Sequence, residues 1–68
     1  MSETRLAMAE RHVREGRKTI ERQERLIAQF KARGHETADY ETLLTTFKQS
    51  LAIFEADLAA VRKERPAK

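Results

Sequence analysis

Lys31-Ala32-Arg33-Gly34-His35-Glu36-Thr37-Ala38-Asp39 is the stretch on which the fold of this chain turns. Gly34 can take the left-handed backbone conformation that closes a helix, and Lys31 and Arg33 suit the negative end of the helix that precedes it. Thr37 can cap a following helix, whose first turn then carries Asp39 and Glu41. Gly34-His35-Glu36 therefore reads as a tight turn. Helix 1 is expected over about residues 3–33, the turn over 34–36 and helix 2 over about 37–65. Arg62, Lys63 and Arg65 favour the C-terminal end of helix 2, and Pro66 stops it.

The apolar pattern on either side agrees with a break at this point. Upstream, Leu6, Ala9, Val13, Gly16, Ile20, Gln23, Ile27 and Phe30 recur in alternating steps of three and four. This is a heptad seam, positions a to g, with Leu6, Val13, Ile20 and Ile27 at a. Downstream, Tyr40, Leu44, Phe47, Leu51, Phe54, Leu58 and Val61 form a second seam, with the leucines at a. Continuing the first a row lands on Gly34 and Glu41, whereas the second implies Thr37 and Leu44. One straight helix would have to absorb that three-residue slip. Two helices joined by so short a turn lie antiparallel. The expected core is Val13, Ile20, Ile27, Phe30, Leu44, Phe47, Leu51, Phe54 and Leu58.

Charges flanking the seams specify which turn of one helix lies beside which turn of the other. In an antiparallel pair, e positions face e positions along one side and g positions face g along the other. Folding at Gly34 sets Lys31 beside Glu41, Glu24 beside Lys48, Arg17 beside Glu55 and Glu10 beside Arg62, and all four pairs have opposite charge. A slip of one heptad either way makes every pair repulsive, for example Lys31 with Lys48 or Glu24 with Glu41. Each exposed bridge contributes only ~0–1 kcal/mol. Their effect is to penalise the wrong registers.

On the other flank the g pairs are Leu26 with Leu43, Thr19 with Ser50, His12 with Asp57 and Arg5 with Glu64. Met8, Ile53 and Ala60 at neighbouring c positions widen that flank. The apolar arc of helix 1 spans roughly 160°, more than a two-helix seam covers. A second copy packing through this side gives a dimeric four-helix bundle, with Met8, Leu26, Leu43 and Ile53 at the expected dimer face. Gly16 and Ala9 suit close approach of the helices.

Sixty-eight residues with no cysteine bound the remaining possibilities. One domain, 1–68, is the ceiling, and disulfide frameworks and Cys-based zinc sites are excluded. The longest apolar runs are far short of the roughly 20 residues of a membrane span. The N-terminus lacks a signal-peptide apolar region, so the expectation is a soluble, cytoplasmic protein without a membrane partner. No glycine-rich phosphate loop and no nucleophile–base set are found. His12 and Glu15 have a metal-ligand spacing but no partner set to complete it. His12 is expected to pair with Asp57, and Gln23, the polar residue of the seam, to fix register. No catalytic, cofactor-binding or metal-binding residue is expected.

Arg11, Arg14, Lys18, Arg22 and Arg25 line the outer face of helix 1, which has nine basic and five acidic residues. Such a stripe can track phosphates or meet an acidic protein. Glu15 and Glu21 interrupt it, and Glu10 with Arg14 and Glu21 with Arg25 are placed to neutralise it.

Gly34-His35-Glu36-Thr37, followed by Leu43-Leu44, Phe47 and Ser50-Leu51, resembles short uncharacterised alphaproteobacterial helical proteins with a Gly-His-x-Thr turn. The resemblance runs from about His12 across most of the chain and implies a bacterial helical protein, with no activity to carry over. The expected fold is an all-α antiparallel hairpin, coiled-coil-like, pairing into a four-helix bundle. The expected role is a non-enzymatic protein–protein interaction or regulatory module, with the homodimer as first partner. Another protein is a further partner, and nucleic acid on the basic face of helix 1 is the alternative.

Overall fold

Two long amphipathic helices meet along one seam. The computed structural model describes residues 3–64. Within it, α1 is Arg5–Ala32 and α2 is Ala38–Glu64, folded back on each other as an all-α hairpin. Arg65 and Pro66, expected at the end of the second helix, lie outside the described residues.

Capping chemistry decides where each helix begins and ends. Thr4 takes an extended conformation, and its hydroxyl accepts a hydrogen bond from the Ala7 N–H at 3.0 Å, so α1 starts at Arg5 rather than at residue 3. At the other end, the His35 N–H donates to the Phe30 carbonyl at 2.9 Å and the Gly34 N–H to the Lys31 carbonyl at 3.0 Å. This pair is a Schellman closure, with Arg33 as the capping residue. Gly34 carries the left-handed φ of +77° that the motif needs. Its usual apolar contact is made by the His35 ring edge-on to Phe30, with centroids 5.9 Å apart.

The start of α2 departs in detail from the sequence expectation. The Thr37 carbonyl accepts the first helical bond from the Glu41 N–H at 2.9 Å, which makes Thr37 the capping position. Its hydroxyl, however, donates to the Glu41 carboxylate instead of accepting from a backbone N–H. Two of the free N–H groups are taken by Glu36, whose Oε1 accepts from Thr37 N at 2.9 Å and Ala38 N at 3.0 Å. A carboxylate beside the positive end of a helix is favoured for the same reason as Asp39 and Glu41.

The core is unevenly shared. Ala9, Val13, Ile20 and Ile27 of α1 are buried, together with Leu58 of α2. Phe30, Leu44, Phe47, Leu51 and Phe54, expected in the core, are only half-buried. Their partial exposure has a geometric cause: the molecule is a single layer of two helices, 22 × 16 Å across its shorter axes, so among the described residues each helix is covered along one side only. Gly16 lets the helices close up. A Cβ placed there would lie 3.2 Å from Leu51 Cδ1 and 3.7 Å from Phe54 Cδ2.

Candidate interaction surface

The two flanks of the seam have different chemistry. Along the e side, Lys31 Nζ is 3.4 Å from Glu41 Oε2, Lys48 Nζ 3.7 Å from Glu24 Oε2, Arg17 3.2 Å from Glu55 Oε2 and Arg62 3.8 Å from Glu10 Oε2. These are the four pairs that the charge pattern specifies. Glu41 is the most heavily engaged of these carboxylates. The Thr37 hydroxyl and Lys31 hold its pKa below the ordinary value. Gln23, buried in the seam, adds a directional contact: its Nε2 donates to the Tyr40 carbonyl at 3.1 Å, tying the first turn of α2 to the middle of α1.

Along the g side, among the described residues, only the open end is bridged, by Arg5 to Glu64 at 2.7 Å. On this flank lies a mostly apolar groove of about 270 Å³, bounded by Gly16, His12, Thr19, Phe47, Leu51 and Phe54 together with Glu15 and Ser50. His12 lies against Phe54 with ring centroids 5.1 Å apart. The expected partnership of His12 with Asp57 is not formed among the described residues. The two ring planes are tilted by 37°, and this contact takes the place of a pair with the carboxylate.

Of the residues expected at the dimer face, Ile53 is 61% exposed, Leu43 44% and Met8 41%, while Leu26 is half-buried. Ile53 and Leu43 stand on a face of α2 whose character the sequence reading missed. From Thr42 to Ala60 the charged residues of α2 are Lys48, Glu55 and Asp57, and the first two are drawn to the e side by Glu24 and Arg17. The outward residues are Thr42, Thr45, Thr46, Gln49, Ala52 and Ala56. The three threonine hydroxyls donate back to the carbonyls of Ala38, Glu41 and Thr42, at 3.1, 3.2 and 3.4 Å. With their donors spent on the helix backbone, these threonines present mainly methyl surface.

The outer face of α1 contrasts with this. Arg11 is held by Glu3, with Nε 3.0 Å from Oε2 and a terminal nitrogen 2.8 Å from Oε1, and it also lies 3.5 Å from Glu15. That clasp lowers the Glu3 pKa and raises that of Arg11, in each case chiefly through the side-chain hydrogen bond. Arg14, Lys18, Arg22 and Arg25 form no ion pair among the described residues. The expected neutralising pairs Glu10–Arg14 and Glu21–Arg25 are not formed, because Glu10 is turned to Arg62 across the seam and Glu21 stands apart from Arg25. The basic stripe is thus shortened at Arg11 and left free over the next three turns.

No group of three or more His, Cys, Asp or Glu side chains is arranged to hold a metal among the described residues. Nor is any described helix long and apolar enough to cross a membrane. Comparison with family models, with curated proteins and with solved structures finds no match to this chain.

Proposed function

We propose that this chain is a non-enzymatic interaction or regulatory module of the cytoplasm that works as a self-associating helical hairpin. Two copies join through the g and c flank into a four-helix bundle. The observation that carries this reading is surface area. A compact monomer of 7.9 kDa is expected to expose about 4,400 Å², whereas the chain exposes 5517 Å². The excess, roughly 1,100 Å², reflects the elongated 56 × 22 × 16 Å shape of a single hairpin, and it is comparable to the ~800 Å² that each partner loses in a standard interface. The half-buried phenylalanines and leucines of α2 supply the apolar part of it.

Sedimentation equilibrium at tens of micromolar tests the reading. The expected mass is twice 7.9 kDa. A fully helical monomer at that concentration would overturn it.

A second reading is supported by the basic residues of α1 that lack ion-pair partners: an acidic partner, nucleic acid above all, tracking Arg14, Lys18, Arg22 and Arg25. It predicts retention on nucleic acid that weakens steeply with salt and is lost when Lys18, Arg22 and Arg25 are neutralised. The self-association reading predicts no such retention.

A further inference from the structure

We infer that the groove beside Gly16 is the receptor for Ile53 of a second copy, so that each hairpin of a dimer places its own Ile53 in the groove of the other. The inference rests on the self-association reading and names the contact at its centre. Ile53 is the most exposed large apolar side chain described, at 61%. It lies at a c position, adjacent to the g flank on which the groove opens. The groove itself is walled by apolar surface from Phe47, Leu51 and Phe54, with Leu51 and Phe54 packed closely against Gly16.

Knob and recess also stand at the same height along the hairpin. Gly16 faces Leu51 and Phe54, which bracket Ile53 in α2. Two-fold symmetry requires that if residue i of one copy touches j of the other, j touches i in return. Equal height lets a single axis at that level make both contacts at once.

The charges around the two features permit this burial. One turn to either side of Ile53 lie Gln49, Ser50 and Ala56, which are uncharged, and Asp57, so seating it brings a single carboxylate to the edge of the contact. At the rim of the groove the Glu15 carboxylate is directed to Arg11, 3.5 Å away. An approach through the outer face of α1 would instead bury Arg14, Lys18, Arg22 and Arg25. A second copy therefore fits over α2 and the groove.

The absence of cysteine from the native chain makes a crosslinking test free of background. Ile53→Cys and Gly16→Cys chains are prepared separately, mixed, and oxidised mildly. A disulfide-linked heterodimer is expected to form at least about tenfold faster than in a control mixture of Ile53→Cys with Lys18→Cys, whose cysteine lies on the outer face of α1. Where Gly16→Cys loses helicity, Ser50→Cys on the opposite wall of the groove takes its place. In parallel, Ile53→Asp should keep the helicity of the hairpin while weakening the dimer about tenfold or more, as truncation of a central apolar anchor does. A dimeric protein that shows neither the heterodimer crosslink nor weakening by Ile53→Asp overturns the inference and leaves the self-association reading standing. A monomeric parent chain overturns both.

Discussion

At the scale of single residues the turn concentrates the requirements of the fold. Gly34 has a φ of +77°, and a Cβ added there would meet nothing within 4 Å. The cost of a side chain at this position is therefore backbone strain alone. Gly34→Ala should destabilise the hairpin by about 1–2 kcal/mol, and Gly34→Asn by less, since asparagine tolerates the left-handed region; urea denaturation measures both. Glu41, on the far side of the turn, links stability to pH. Its pKa is lowered from 4.5 by the Thr37 hydroxyl first and Lys31 second. A group whose pKa is depressed by folding contributes stability that is present above its unfolded value and lost as pH falls through its folded value. The stability difference between the parent chain and Glu41→Gln should accordingly be present at neutral pH and shrink below pH 4.5. A difference that stays constant through the acid range would rule out the contacts to Thr37 and Lys31 as its source.

Between elements, charge selects a register that apolar packing alone leaves open. A heptad seam of leucines and isoleucines packs nearly as well after a slip of one heptad, but each such slip brings like charges together along the e side. The four bridges are exposed, with side chains of Glu24 and Lys48 at 50% and 57%, so each contributes ~0–1 kcal/mol. Glu24→Lys and Lys48→Glu should each weaken the hairpin by a few tenths of a kcal/mol to about 1 kcal/mol, and the double exchange should recover most of the loss. Additive losses in the double variant would show that the two side chains do not interact. This level of organisation is legible in the sequence because heptad spacing, the phase slip at Gly34 and the sign of each e residue are local, periodic signals. Other features are not periodic and were harder to read. Glu36 caps α2 from within what looks like a plain turn, and Thr37 gives its hydroxyl to Glu41. Glu3 reaches eight residues along the chain to clasp Arg11. The half-burial of Phe47 and Leu51 depends on how much a single partner helix can cover, which no pattern within one helix states.

For the whole molecule, the decisive property is that two helices side by side cannot enclose a core. Among the described residues no large side chain is fully buried, and α2 contributes only Leu58 to the buried apolar set. The chain also lacks the disulfides by which other small domains offset such a shortage. If a second copy supplies the missing cover, then at concentrations where the dimer forms folding and association are one equilibrium, and stability over that range depends on protein concentration. Each hundredfold rise in concentration adds about 2.7 kcal/mol per dimer. Spread over the unfolding entropy of two chains, that should raise Tm by roughly 10 °C. Thermal melts followed by circular dichroism across a hundredfold range provide the measurement. A monomeric hairpin, whose stability comes from its own seam and caps, would melt at one temperature throughout. Ile53→Asp supplies the internal comparison. With its central apolar contact replaced by a charge, the variant should melt lower than the parent at high concentration and approach it on dilution, because both then rely on the same two-helix seam.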